Sequence, residues 1–265
     1  MMRTFPAAVV LAIGFAGMAH GQLTNGSMAA PFNSIPGDAA SGSVPNGWTA
    51  QGVDNTAFIR SQSTINSPFT SVYADNASSV LIQDQATSGT GTDGYGMLQR
   101  FGSGFTNGTA SFDFRMSNMP AVPSTFGVQF NNTGDTTGGS SVTRLRFELN
   151  NAGNLRWYSE AGTGTILAIT ADTWYHVEFE WNIAGAFTGS ATPFGGASTT
   201  FSGMLSPNGA NNISGVQIRD RENTPGGDLY IDNVSVVPEP VVTGLLGAAA
   251  LFLMVMRRRL TGRIA

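Results

Sequence analysis

Short segments in which apolar and polar residues alternate recur along the middle of the chain. In Thr109–Met116 and Trp174–Trp181 every second residue is apolar, the pattern of a strand with one buried face. The same alternation marks further candidate strands: Val80–Gln83, Tyr95–Phe101, Thr125–Phe130, Arg144–Asn150, Leu155–Glu160, Ile166–Thr170, Val216–Arg219 and Leu229–Val237. Between these segments lie turns rich in Gly, Asn and Ser. We therefore predict an all-β domain of antiparallel strands, a two-sheet β-sandwich of the jelly-roll type.

The alternation also predicts which side chains enter the core. In the segment 174–181 the core side is assigned to four residues: Tyr175, Val177, Phe179 and Trp181. The polar side receives the other four: Trp174, His176, Glu178 and Glu180. Trp157 is also assigned to the core, and Asn151–Asn154 is predicted to be the turn of a hairpin.

The first 21 residues have the pattern of a secretory signal peptide. Arg3 supplies the positive start, Ala7–Met18 the apolar stretch, and Ala19-His20-Gly21 the small residues before a cut at Gln22. A buried N-terminal helix is the alternative interpretation. The signal predicts export of the chain.

The other end of the chain has a second targeting pattern. Pro238-Glu239-Pro240 precedes an uncharged stretch, Val241–Met256, and a basic cluster, Arg257-Arg258-Arg259. As a helix the stretch would span roughly 24 Å, slightly less than a hydrocarbon core of ~30 Å. Arginines favour the cytoplasmic side of a membrane, so residues 22–237 are predicted to lie outside.

This arrangement resembles the PEP-CTERM sorting signal of diderm bacteria, a PEP motif followed by a short apolar helix and terminal arginines. The resemblance implies an exosortase-type protease as partner, transient anchoring in the inner membrane, and final placement at the cell surface or in the extracellular matrix. The chain then divides into a signal peptide (1–21), a β-sandwich ectodomain (22–237) and a sorting signal (238–265, with its membrane helix at 241–256). An ordinary single-span anchor is the alternative.

Composition excludes several classes of function. All 13 basic residues are arginines, the net charge is −4, and residues 22–237 carry eight arginines against sixteen acidic residues. Such an acidic domain is not expected to bind nucleic acid. The chain has no cysteine and two histidines, His20 and His176. Thiol chemistry, disulfides and cysteine zinc sites are therefore excluded.

Several short motifs resemble carbohydrate-binding jelly rolls and laminin-G or concanavalin-like sandwiches. They are Asn25-Gly26-Ser27, Pro45-Asn46-Gly47-Trp48, the strand Trp174–Glu180 and the final strand Leu229–Val236. The resemblance implies a sandwich with a carbohydrate ligand. The family's usual Phe-Glu after the first motif is replaced by Met28-Ala29, which weakens the case for its calcium site.

Glu178 and Glu180 are the candidate catalytic pair. Two positions apart on a strand, they share a face at about 7 Å, within the ~6.5–9.5 Å separation of inverting glycosidases. His176 follows on the same face. The alternative is a solvated outer face that carries charges.

Candidate binding residues are of two kinds. Trp48 and Trp174 are the aromatic side chains assigned to sugar stacking, with Tyr73, Tyr95 and Tyr158 as weaker candidates; core packing is the alternative for each. Asp228 and Asp232, with Asn233 and Asp220, could offer oxygen ligands to calcium. Turn and edge acids are the alternative to that site, and no other cofactor is expected.

These observations give three hypotheses for the function. The first is an exported domain of the envelope or matrix that binds extracellular polysaccharide and is not an enzyme. The second is a matrix protein without a defined ligand. The third is a polysaccharide hydrolase or lyase that uses Glu178 and Glu180. A deep cleft over the glutamates would favour the enzyme, and a shallow face with Trp48 or Trp174 exposed would favour sugar binding.

Overall fold

The computed structural model describes eleven stretches of the chain. They are residues 49–51, 57–62, 65, 67–70, 79–84, 95–117, 127–132, 143–149, 152–207, 212–220 and 228–238. All of them belong to one compact unit, Gly21–Glu239. Trp48, Tyr73, the predicted signal peptide and the C-terminal segment from Glu239 onward lie outside these stretches.

Fourteen strands make up the described part of the chain. They are β1 (Thr49–Gln51), β2 (Ala57–Gln62), β3 (Ser79–Asp84), β4 (Tyr95–Phe105), β5 (Gly108–Met116), β6 (Gly127–Asn131), β7 (Thr143–Leu149), β8 (Asn154–Ser159), β9 (Gly162–Ala168), β10 (Trp174–Trp181), β11 (Ala186–Pro193), β12 (Thr199–Met204), β13 (Ile213–Asp220) and β14 (Leu229–Pro238). Within the same stretches, we find no helix with the length and apolar character needed to span a membrane.

The strands form two seven-stranded sheets. Sheet A has the order β1-β4-β13-β6-β7-β8-β9, and sheet B has the order β12-β11-β10-β5-β14-β3-β2. Each strand pairing is antiparallel. The predicted all-β sandwich is therefore confirmed.

The core lies between the two sheets and is rich in aromatic rings. Phe179 of β10 contacts Phe130 and Phe147 of sheet A at ring-centroid distances of 4.8 and 5.4 Å. All four inward residues predicted for β10 are at most 2% exposed. The register of this strand is thus the one the alternation predicts. Trp157, by contrast, is only half-buried against the core.

β10 lies near the middle of sheet B, and this position places its polar side chains on a broad face. It pairs with β5 on one side and with β11 on the other, with β14 beyond β5 and β12 beyond β11. Polar residues at alternate positions of these five strands share the outer face of sheet B. The candidate site is built on this face.

Candidate functional site

Two rows of polar side chains cross the outer face of sheet B. Antiparallel pairing sets the rows: residues in register on neighbouring strands stand side by side. The first row contains Ser111, Glu178, Ser190 and Thr200. The second row contains Thr109, Glu180, Thr188 and Ser202. Together with Ser235 they line an open groove of about 800 Å³, which we call the sheet-B groove.

Hydroxyl groups of β11 hold both carboxylates in this groove. Ser190 Oγ donates to Glu178 Oε1 at 3.2 Å, and Thr188 Oγ1 donates to Glu180 Oε1 at 3.1 Å. Glu178 nevertheless keeps 63% of its side chain exposed. The pair is therefore oriented by its neighbours and accessible to a ligand. The position of Glu178 and Glu180 on an exposed face agrees with the sequence pattern.

His176 stands next to Glu178 and is held by a buried carboxylate. Its Nδ1 lies 2.6 Å from Oδ1 of Asp113, which is fully buried, while its Nε2 lies 3.8 Å from Glu178 Oε2. A carboxylate bound to Nδ1 fixes the ring and its tautomer, as it does in Asp–His pairs of enzymes. The imidazole can therefore exchange a proton through Nε2 on the groove side.

Asp113 is the centre of a buried hydrogen-bond network. Its Oδ2 accepts from Ser67 Oγ at 2.5 Å and from Asn233 Nδ2 at 2.6 Å. Asp232 completes the network by accepting from the backbone N–H groups of Ser67 and Asn233. Asn233 adopts a left-handed backbone conformation with φ of 49° at an irregularity of β14. Asparagine tolerates this conformation better than most residues.

The pKa of His176 lies above its ordinary value. The main cause is the hydrogen bond to Asp113, and partial burial opposes it. The negative charges of Asp113 and Glu178 raise the pKa further. The protonated imidazole is therefore favoured in the folded protein.

Trp174 is a stacking candidate in the sequence, with core packing as the alternative, and in the structure it is packed against other side chains. Trp174 lies on the outer face as the alternation predicts, but it is only 8% exposed. It packs in a second, smaller apolar cluster with Leu81, Tyr230, Ile65 and Phe69. Ile65 and Phe69 come from a distant part of the chain that covers this end of sheet B, and Trp174 cannot present its ring to a ligand.

Phe194 is an exposed aromatic residue that the sequence analysis missed. It is 58% exposed and follows β11 directly. Thr188, Ser190, Thr192 and Phe194 occupy alternate positions on this stretch. The sequence contains a signal for this exposed residue: Phe194 continues the alternate row of hydroxyl residues and stands just before Gly195-Gly196.

Sheet A also carries a polar outer face, and in an antiparallel sheet such a face is commonly solvated. Gln129, Arg144, Glu148 and Gln217 are instead at most 1% exposed. Glu148 forms ion pairs of 2.5 Å with Arg146 and Arg156. Burial lowers the pKa of Arg144, an effect that the charge of Glu160 opposes. Because these groups are buried, we place the candidate site on sheet B.

Of the remaining candidates, Tyr158 is 37% exposed, and its ring lies 4.7 Å from the Arg146 guanidinium carbon. Asp232 is buried in the Asp113 network, and Asp228 is half-buried at the start of β14. Within the described stretches no three His, Asp or Glu residues are grouped as metal ligands. The calcium hypothesis stays a prediction.

Comparisons with known proteins give matches in structure. No protein-family model and no curated protein sequence matches the chain. Cip1, a cellulose-induced protein, has a TM-score of 0.51 at 12% identity over 77% of this chain and 97% of its own. An endo-β-1,4-glucuronan lyase from the fungus Trichoderma reesei has a TM-score of 0.49 at 15% identity, over 73% of this chain and 92% of the lyase.

The catalytic domain of a glycoside hydrolase family 131 protein from Coprinopsis cinerea is also similar. Its TM-score is 0.45 at 15% identity, over 83% of this chain and 92% of that domain. The expectation that the domain is not an enzyme is contradicted by these comparisons, because the similar structures are mostly carbohydrate-active enzymes. Identities of 8–15% show the fold alone, and they do not establish an activity for this chain.

Proposed function

We propose that the exported domain binds a polysaccharide of the cell envelope or extracellular matrix in the sheet-B groove. The observation that carries this proposal is the lining of the groove, which combines two oriented carboxylates with Ser and Thr hydroxyls in about 800 Å³. Carboxylates accept hydrogen bonds strongly, and hydroxyls both donate and accept. These groups can form hydrogen bonds with the hydroxyls of a sugar chain. The fold shared with Cip1 supports a carbohydrate-related role.

The charge of the groove narrows the class of polysaccharide. Glu178 and Glu180 stand close together, and residues 22–237 carry a net charge of −8. A uronate or sulfate group in the groove would meet like charges. A neutral glycan avoids this repulsion, and the protonated amines of an amino glycan are attracted to the negative charges of the groove. We therefore expect the ligand to be a neutral or amino polysaccharide.

Replacing Glu178 and Glu180 by glutamine, singly and together, should weaken polysaccharide binding. Each change replaces a charged hydrogen-bond acceptor by a neutral one, a difference of about 1 kcal/mol, so each single variant should raise the dissociation constant about fivefold. The measurement is a glycan array of neutral, amino and acidic polysaccharides, followed by titration calorimetry on the ligands found.

Glu160→Gln is the matched control, since Glu160 is exposed at the β8–β9 turn and lies outside the groove. It should bind as the wild type does. Binding of no neutral or amino polysaccharide would reject the proposal and leave a matrix role without a ligand. A preference for acidic glycans would reject the charge argument.

Cleavage of the bound polysaccharide is a second candidate, favoured by the Asp113–His176 pair. A histidine oriented by a buried carboxylate and placed beside Glu178 has the arrangement of a general acid–base group. Strand geometry puts Glu178 and Glu180 about 7 Å apart, within the ~6.5–9.5 Å range of an inverting pair. New reducing ends or unsaturated products in the calorimetry samples would identify this activity.

We also propose that the chain is exported and that its tail is removed at the PEP motif. β14 ends at Pro238, and proline cannot donate the backbone hydrogen bond that would continue a strand. The exosortase-type partner and the transient membrane stage rest on the sequence pattern. This processing would release the domain to the cell surface or matrix.

Changing Pro238-Glu239-Pro240 to three alanines should block this cleavage and retain the anchor. The test is mass spectrometry of the exported protein from the native host, wild type against triple alanine. The wild type should lack the C-terminal peptide Arg263-Ile264-Ala265, and the variant should retain it. A wild-type protein that keeps this peptide would be a plain membrane-anchored protein.

A further inference from the structure

Phe194 lies on the same face as the sheet-B groove, beyond its His176 end. Alternation along β11 places Thr188, Ser190, Thr192 and Phe194 on one side. The N–H of Phe194 donates to the Trp174 carbonyl at 2.8 Å, so the pairing of β11 with β10 continues past the strand end. From Ser190 to Phe194 the strand advances about 13 Å. The groove and the exposed ring are therefore parts of one continuous surface.

A tight turn fixes the backbone at Phe194. Gly196 N–H donates to the Pro193 carbonyl at 2.9 Å, which closes a four-residue turn around Phe194 and Gly195. Gly195 has φ of 75°, the left-handed value that a type II turn requires at this position. Proline restricts the backbone at the first position of the turn. The backbone of Phe194 is therefore held in a preformed conformation.

Phe69 supports the Phe194 ring and connects it to His176. The rings of Phe69 and Phe194 meet edge to face at a centroid distance of 5.6 Å and an angle of 88°. Phe69 also contacts His176, with ring centroids 5.4 Å apart. The rings of His176, Phe69 and Phe194 thus form a row that runs from the polar groove to the exposed face of Phe194. Phe69 itself is half-buried, so Phe194 offers the accessible ring.

We propose that Phe194 is a stacking platform for a pyranose ring of the polysaccharide as it leaves the groove. This inference rests on the proposed function, because the groove has to hold the neighbouring sugars. A rigid aromatic ring next to polar groups matches an amphipathic ligand with an apolar ring face and hydroxyls at its edge. Pyranoses whose ring faces carry only C–H groups, as in gluco-configured β-linked chains, fit this surface. An axial hydroxyl on the stacked face would prevent close contact.

The test compares long and short sugars on the full-length protein by titration calorimetry. The probes are cellohexaose, the corresponding hexamer of glucosamine, and their disaccharides. Phe194→Ala should weaken hexamer binding about tenfold, the equivalent of 1.4 kcal/mol. Phe194→Trp should retain the affinity, since a flat ring is preserved, whereas Phe194→Leu should lose most of it. The disaccharides, which fill the groove alone, should bind all variants equally.

The outcomes separate this inference from the proposed function. If Glu178→Gln weakens hexamer binding and Phe194→Ala does not, the groove is the binding site and the platform is rejected. Equal losses for hexamers and disaccharides in Phe194→Ala would also reject it. If the wild type binds none of these probes, the platform for gluco-configured chains is rejected, whereas the groove proposal is decided separately by the glycan array. Unchanged melting temperatures of the Phe194 variants would show that a change in their affinity is not caused by a loss of stability.

Discussion

Replacing Phe179 with alanine is expected to lower the free energy of unfolding by about 3–5 kcal/mol, the usual cost of removing a buried phenylalanine. Phe179 is 2% exposed and contacts rings of both sheets. Phe130 lies edge to face at 4.8 Å in sheet A, and Trp181 lies at 5.7 Å in sheet B. The substitution would leave a cavity between the sheets. Denaturant unfolding at neutral pH measures the change.

Phe194→Ala is the matched control for this prediction. It makes the same chemical change at a phenylalanine that is 58% exposed, where the free energy of unfolding should change by at most about 0.5 kcal/mol. Phe179→Leu should cost less than Phe179→Ala because it fills part of the cavity. If Phe179→Ala proved as mild as Phe194→Ala, the register of β10 would be shifted by one residue.

The inward side of β10 could be read from the sequence because its signal is local. Large apolar residues at every second position specify a buried face, and a shift by one residue would place glutamates in the core. β11 and β12 were not predicted, because large apolar residues do not occupy every second position of these strands. Inward positions of β11 include Gly189 and Ala191, because a side chain at Gly189 would clash with Phe179 and Phe201. Small residues that accommodate large neighbours weaken the apolar alternation.

Exposure of the polar faces could not be derived from the sequence. Trp174 and His176 follow the alternation, but Phe69, more than a hundred residues away in the chain, packs against both ends of this short stretch. In sheet A, Glu148 has the same alternation as Glu178, yet its side chain is 1% exposed and paired with two arginines. Alternation separates two faces of a strand. It does not tell whether the polar face meets water or a second layer of the protein.

The pairing of His176 with Asp113 depends on the same kind of distant contact. The two residues are 63 positions apart, and only the pairing of β5 with β10 places them side by side. Ser67 and Asn233 complete the network from two further segments. The sequence singled out His176 on its own strand but did not indicate Asp113 as its partner. The histidine of the candidate acid–base pair could thus be predicted from the sequence, and its carboxylate partner could not.

Asp113→Ala should lower the free energy of unfolding by about 3–5 kcal/mol, the range found when one partner of a buried pair is removed. Its carboxylate is fully buried and accepts hydrogen bonds from His176, Ser67 and Asn233. The alanine variant leaves three donors without their acceptor, and each unsatisfied buried group is costly. Denaturant unfolding checks the change. Asp172→Asn is the control, because Asp172 is 62% exposed in its ion pair with Arg115 and its loss should cost at most about 1 kcal/mol.

Asp113→Asn tests the electrostatic part of the same network. In the wild type the pKa of His176 is raised above its unfolded value, chiefly by the hydrogen bond to Asp113. Protonated His176 therefore stabilises the fold fully below about pH 6.5, and this contribution is lost as the pH rises through the folded-state pKa. Glu178 is the second carboxylate facing the ring, and it would remain in the variant.

Asp113→Asn should shift the NMR titration of His176 to lower pH and flatten the dependence of stability on pH in this window. An unchanged His176 titration would mean that Asp113 does not hold the histidine. An Asp113→Ala variant as stable as Asp172→Asn would mean that Asp113 does not anchor the network.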